Sequence, residues 1–430
     1  MNMRHMVIRA LAFAALFCMT APSMSQVCVD SSMYGRIITR IEIRGNNKTK
    51  QSIILREMKL KQGSVLDSTR LEGDRKRIEN LLVFNRVQVT GLSENNGIAL
   101  VIQVSEQIYF VPFPVLFIND RDWSKVSWGA GFIHSNFLGR TEKLAGIFWT
   151  GYDPAVHLAY SNPWIGKKYN LLTKIELFYA RIKNKHYADQ TVYEYQKGFK
   201  WDIGRRWGHH FYGQISLGYR LLDITEPDTV TRTDRLPSAG VNVLYDRRDL
   251  VEFPLSGYYV NLHFKNTGFD NSGPMYQRIT FDCRSYLPVS RRSSLAFRGE
   301  ATVSAGSMPL YDRLYIGYSN RVRGHFSDVF EGDMLAMASA GYRFPLLDIR
   351  YFNITSLPQF HNMKFGIYGS VFFDYGAVWF KDRGFAQGEH VSGAGIGLNI
   401  ILPYVHVMRI DLAWDEQGSP EIIFDIGVDI

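Results

Sequence analysis

From residue 108 to residue 430 the chain alternates apolar and polar side chains almost throughout, at a period of two. The stretch Ser294–Ala305 shows why this narrows the fold. Leu295, Phe297, Ala301, Val303 and Ala305 share one face, while Arg298, Glu300, Thr302 and Ser304 share the other. The same split sets Ile279, Phe281 and Cys283 against Arg278, Thr280, Asp282 and Arg284. Burying Arg298 and Glu300 in the core of a soluble sandwich would be expensive. A membrane barrel turns the apolar face to lipid and the charged face to a wet lumen. Lipid offers no partner to an unpaired backbone N–H or C=O, so such a sheet must close on itself. Parsing by alternation and turn residues yields about sixteen antiparallel strands, an even number as bacterial single-chain barrels require. The first is expected at Ile108–Ile118, the twelfth at Met334–Phe344, the thirteenth at Phe365–Val378 and the last at Ile422–Ile430. The expected fold is therefore a transmembrane β-barrel over residues 107–430. Composition agrees: 24 Tyr, 28 Phe and 37 Gly suit aromatic girdles and tight bends.

The first residues read as an export signal, residues 1–25. Arg4 and Arg9 supply a basic start, Leu11 to Met19 a short apolar core, and Ser23 and Ser25 small residues ahead of cleavage before Gln26. Residues 26–35 are expected to be a linker. Export leaves two cysteines, Cys28 and Cys283, which can either form one disulfide in an oxidising compartment or remain thiols. The net charge of +8 is spread singly along strands, with no Lys/Arg block. That argues against nucleic acid and leaves phosphate-bearing lipid head groups as candidate partners.

Residues 36–106 follow a different rhythm. Ile37, Thr39, Ile41 and Ile43 alternate with Ile38, Arg40, Glu42 and Arg44 up to Gly45-Asn46-Asn47. Thr49 can cap a helix carrying Ile53, Ile54 and Met58. A second helix starts near Asp67 and carries Leu71, Ile78, Leu81 and Leu82. Two strands follow, Arg86–Thr90 and Ile98–Val104, joined by a hairpin-like turn. The order is β-α-α-β-β, a small α+β domain.

At its longer strings the chain resembles the BamA/TamA superfamily of outer-membrane assembly and secretion barrels. The small domain resembles a POTRA domain, with Gly45-Asn46 at its first turn and Leu82-Val83-Phe84 ending its second helix. Val322-Arg323-Gly324-His325 resembles the family's Val-Arg-Gly-aromatic signature, in a long connection before the twelfth strand. Phe373-Asp374-Tyr375-Gly376 resembles its partner motif on the thirteenth. Asn136-Phe137-Leu138-Gly139-Arg140, Asn162-Pro163-Trp164, Asp246-Arg247-Arg248-Asp249 and Tyr342-Arg343-Phe344-Pro345 also stand where the family carries similar strings. Departures are Gly341, where the family usually has Glu, His325 as the aromatic (Phe326 follows), and Ile430 where many barrels end in Phe.

The resemblance implies a loop locked into the lumen by Arg323 against Asp374. Alternation independently puts Ser370, Phe372 and Asp374 on the lumen face, and a guanidinium fork suits a carboxylate. In the competing arrangement Arg323 points to solvent and Asp374 pairs with Arg343. The resemblance further implies that Val87 and Val89 offer a sheet edge to an extended client strand by β-augmentation. It also implies a weak seam between the first strand and the last, where Phe424 and Ile426 stand. Pro112 and Pro114 in the first strand cannot donate to a ladder, so they mark either that weak edge or the end of a linker.

No nucleophile–base set emerges, and His134, His209 and His210 lack metal-ligand spacing. Gly393-Ala394-Gly395-Ile396-Gly397 mimics a dinucleotide fingerprint, but strand follows rather than helix, so small residues under a close contact are expected instead. Neither a metal nor a cofactor is expected, nor an enzyme. The expected function is an assembly or insertion factor in a Gram-negative outer membrane, with its POTRA domain in the periplasm. Its expected partners are unfolded outer-membrane clients, outer-membrane lipid or lipopolysaccharide, and accessory lipoproteins. The alternatives are a secretion pore for a dedicated polypeptide and a passive channel or structural barrel.

Overall fold

A computed structural model describes residues 27–118, 124–166, 169–183, 192–225, 232–270, 273–317, 322–325, 328–404 and 406–426. The expected export signal, Phe326 and Ile430 lie outside them.

The small domain holds β1 (Val27–Cys28), β2 (Ile38–Arg44), α1 (Gln51–Glu57), α2 (Ser68–Glu79), β3 (Phe84–Glu94) and β4 (Gly97–Glu106). Its sheet runs in the order β1-β3-β4-β2. Ile38, Ile54, Leu71, Ile78, Leu100 and Ile102 fill the core between sheet and helices. Asp67 caps α2, accepting from Arg70 N at 2.7 Å. Thr49 does not cap α1; Lys50 stands at that position without a side-chain bond. The Thr49 hydroxyl is engaged elsewhere, 2.9 Å from Tyr109 Oη and 2.9 Å from Asn136 Nδ2. The supposed linker is also partly structured. Val27 and Cys28 pair in parallel with Val89 and Thr90, because a short extended segment can satisfy the backbone groups of an open edge. Cys28 and Cys283 do not form a disulfide with each other.

The barrel strands are β5 (Phe110–Ile118), β6 (Val126–Phe137), β7 (Glu142–Gly151), β8 (Ala155–Ile165), β9 (Leu171–Lys183), β10 (Tyr193–Trp207), β11 (Phe211–Thr225), β12 (Arg232–Asp246), β13 (Gly257–Thr267), β14 (Tyr276–Pro288), β15 (Ser294–Gly306), β18 (Met334–Phe352), β19 (Met363–Trp379), β20 (Glu389–Leu402), β21 (His406–Asp415) and β22 (Pro420–Ile426). A hairpin of β16 (Leu314–Ile316) and β17 (Phe330–Gly332) lies in the connection from β15 to β18. The sixteen long strands form one antiparallel sheet from β5 to β22 in chain order, and no ladder joins β5 to β22 among the described residues.

The alternation sorts as a membrane wall should. Leu295, Phe297 and Val303 are exposed outward with Ile279 and Phe281. On the other face Arg298 bonds Asp282 at 3.2 Å and Glu300 at 2.5 Å, so the lumen charges satisfy one another. The transmembrane β-barrel with one POTRA-type α+β domain is the observed fold. One strand is longer than expected. β18 does not stop at Phe344 but runs to Phe352, because the break at Pro345 is absorbed by irregular register at Pro345/Leu347 and Leu347/Arg350.

Candidate functional site

Part of the connection from β15 to β18 packs inside the barrel. Leu314, Ile316 and Val322 bury themselves against Leu335, Val378 and Val391 of the inner wall. That apolar patch brings Arg323 to the lumen face of β19. Arg323 Nε donates to Asp374 Oδ2 at 2.6 Å and Nη2 to Oδ1 at 2.7 Å, the bidentate fork. The Arg323 backbone N–H adds a third bond to Oδ2 at 3.2 Å. The guanidinium carbon lies 3.5 Å from the centroid of the Phe372 ring.

Asp411 on β21 is the second carboxylate, which the sequence reading did not single out. It lies 3.5 Å from Arg323 Nη1 and 3.1 Å from Arg409 Nε, and its side chain is completely buried. Its only sequence signal was an inward position in Arg409-Ile410-Asp411-Leu412. Gly341 pairs in register with Phe372, and a Cβ there would meet only Val371 O at 3.4 Å and Phe372 Cβ at 3.7 Å, so packing does not explain the glycine at this position.

His325 extends the network. Its Nδ1 lies 2.8 Å from Asp328 Oδ2 and its Nε2 2.8 Å from Glu416 Oε2. Burial pulls the imidazole pKa down, but the bonds to Asp328 and Glu416 carry it above its ordinary value. Gly324 sits at φ +104°, which a side chain tolerates poorly. Gly376 leaves room for the loop: a Cβ there would lie 2.6 Å from Val322 Cγ2 and 2.9 Å from Ile316 Cδ1. The 393–397 string is β-strand as expected, within β20, and a Cβ on Gly393 would strike the Arg323 carbonyl oxygen.

A second anchor holds the front of the same connection. Asp312 pairs with Arg220 of β11 and bonds the Tyr276 hydroxyl of β14, while its carbonyl accepts from Arg278 Nη2 at 2.5 Å. Tyr311 donates to Asp234 at 2.7 Å. Sequence reasoning missed this anchor because a lone Asp in a loop carries no pattern.

Other candidates fall elsewhere. Arg343 is buried but does not pair with Asp374; it donates to the Pro254 carbonyl at 3.4 Å and faces the Phe253 ring at 5.0 Å. The side chains of Val87 and Val89 are both buried in the domain core; Val27 of β1 covers the backbone edge at Val89, while Val87 has no β1 partner among the described residues. Nearby Asn85 donates to the carbonyls of Gln359 and His361, 3.0 Å each. Pro112 and Pro114 lie within β5, opposite Phe132 and Ala130, and so do not end a linker. The register to β6 runs through both without a break, so their protonless nitrogens face the free edge. Phe424 on β22 is 70% exposed, and Ile426 pairs with Met408.

The remaining strings build the joint between domain and barrel. Glu57 at the end of α1 accepts from Arg206 of β10 at 3.0 and 2.9 Å. Burial pushes the Glu57 carboxyl up, but His209, Arg206 and Arg56 outweigh it and hold the pKa at about 2. Trp164 lies under both Arg56 and Arg206, at 4.7 and 5.3 Å. Asp249 accepts from Lys76 of α2 at 3.3 Å, and Gly139 O accepts from Lys50 N at 3.0 Å.

Comparison with known proteins supplies an independent frame. The Omp85 superfamily domain matches residues 136–429, and the POTRA family described as surface antigen variable number repeat matches residues 37–107. The outer membrane protein assembly factor BamA of Nitratidesulfovibrio vulgaris is 20% identical over 376 residues, which are 77% of this chain and 45% of that protein. The chain thus spans less than half the length of this curated relative. Among solved structures, BamA from Haemophilus ducreyi lacking POTRA domains 1–3 aligns with a TM-score of 0.54 at 17% identity, covering 94% of this chain and 84% of that one. CdiB from Escherichia coli aligns at 0.59 and 12% identity, covering 91% and 75%.

Proposed function

This chain belongs to the Omp85 superfamily, and from that premise we propose that it assembles or inserts other β-barrel proteins in the outer membrane, with its POTRA domain on the periplasmic side. The observation that carries the reading is the pair of end strands. β5 and β22 stand at the two ends of the sheet and share no ladder among the described residues, and β5 lacks two donors on its free side. Unpaired edges template the pairing of another chain. A client hairpin would therefore find its first partners at Pro112–Leu116 and Phe424, while the locked loop braces β19 and β21, the wall that adjoins β22.

The role of the small domain changes with the structure. A client strand can add to β3 only where Val27–Cys28 leaves it. Unfolded clients, lipopolysaccharide and accessory lipoproteins are partners of this proposal. Depletion of the chain followed by an outer-membrane proteome tests it. The expected result is loss of several barrel proteins together. Loss of one exported polypeptide with the barrels intact would instead assign a secretion pore, and an unchanged proteome would leave a channel or structural barrel.

A further inference from the structure

The joint between the small domain and the barrel encloses a cavity of about 800 Å³ that the assembly reading does not use. Six Lys and Arg side chains line it against four carboxylates. Most of these charges are matched in place. Glu57 holds Arg206, Asp246 holds Arg248 at 2.7 Å, and Asp249 holds Lys76. Lys59 and Arg247 have no ion-pair partner among the described residues. Burial and the neighbouring charges of Arg77, Arg247 and Arg70 hold the Lys59 ammonium below its usual pKa. The cavity thus carries two exposed cations with no carboxylate partner among the described residues, and Ser68 and Thr69 line the same cavity.

We propose that this cavity binds the phosphate of a phospholipid headgroup from the leaflet that faces the POTRA domain, between Lys59 and Arg247. The phosphate could equally be that of a soluble ester on charge alone. The surroundings select the lipid. Arg247 lies 6.0 Å from the Tyr258 ring, which stacks on Tyr245 at 5.6 Å. Trp207 and Phe211, 5.5 Å apart, frame the neighbouring turn. Trp207, Phe211 and Tyr258 are exposed. Exposed rings at a barrel rim mark the level of lipid headgroups, so the cavity opens at the height where a headgroup phosphate stands and its tails can lie along the wall.

The test uses the full chain, folded in neutral detergent with phosphatidylglycerol or with diacylglycerol of the same tails, and native mass spectrometry of retained lipid. Phosphatidylglycerol should be retained over diacylglycerol, and the double variant Lys59→Glu/Arg247→Glu should lose it by about tenfold or more, the loss of at least one charge-assisted bond. Arg291→Glu, a charge reversal between β14 and β15 outside the cavity, should retain it. Should the double variant fail to show the heat-modifiable mobility of a folded barrel, Arg247→Gln carries the same expectation with a several-fold loss. Equal retention of the two lipids, equal loss in Arg291→Glu, or an undiminished signal in the folded cavity variants would overturn the site. Displacement of phosphatidylglycerol by equimolar glycerol phosphate would overturn the lipid assignment.

Discussion

The loop that crosses the lumen is held at two places by opposite chemistry. At its far end the loop supplies the cation, Arg323, and the wall supplies Asp374 and Asp411. At its near end the loop supplies the carboxylate, Asp312, and the wall supplies Arg220 and Arg278. The two differ in dryness. Side chains of the far anchor are 0–6% exposed, while Arg220 and Asp312 are 21% and 15% exposed. A charge in water tolerates the loss of its partner, whereas a dry one does not. The far anchor should therefore behave as a lock and the near one as a guide.

The sharpest break of that comparison is Arg323→Glu. It places a third carboxylate beside Asp374 and Asp411, and truncating one partner of a buried pair already costs about 3–5 kcal/mol. The yield of heat-modifiable, folded barrel should fall steeply, with Arg323→Ala intermediate. Adding Asp374→Arg should restore part of the yield, because the reversed pair can form while Arg409 still stands 3.1 Å from Asp411. No recovery in that double variant would show that the loop is held by its apolar patch alone.

Gly393→Ala should come next, and it probes the far anchor without touching a charge. A Cβ at that position must move the Arg323 carbonyl, and overpacking of this kind costs about 1–3 kcal/mol. Urea midpoints of the folded barrel would read it. Asp312→Asn should follow, with a loss of about 1–2 kcal/mol, because charge-assisted bonds are lost but Arg220 can turn toward lumen water. If Asp312→Asn proves as damaging as Arg323→Ala, the distinction between lock and guide fails.

The two anchors also differ in how far they could be read from the sequence. Strand alternation placed Asp374 inward, and the resemblance of Val322-Arg323-Gly324-His325 to a family signature marked its partner. Period two reports which face a residue takes, but not which strands meet across a lumen. Asp411 and Asp312 were therefore invisible as partners, and Arg343 was placed near the wrong group. The cover over the edge at Val89 is hidden for a related reason: Val27 and Cys28 supply it from far off in the sequence, with no alternation to announce a strand. The short strings at Asn136, Asn162 and Asp246 carry no periodicity; only in three dimensions do Gly139, Trp164 and Asp249 touch the small domain.

The smallest effect separates the two regions by pH. His325 belongs to the far anchor and bonds Asp328 and Glu416, which favour its charged form. Its folded pKa lies above the ordinary value, so its contribution is complete below about pH 6.5, the unfolded value. It is lost as pH rises through the raised folded pKa. Glu57 at the domain joint has the opposite sign. Its pKa is about 2 against a reference of 4.5, so its contribution is complete above about pH 4.5 and lost as pH falls toward 2. Proteolytic cleavage in the loop should therefore rise a few-fold between pH 6 and pH 9, and His325→Gln should remove that rise. Asp312→Asn should leave it intact, since Asp312 contributes nothing to His325. A rise that survives in His325→Gln would place the titrating group outside the far anchor.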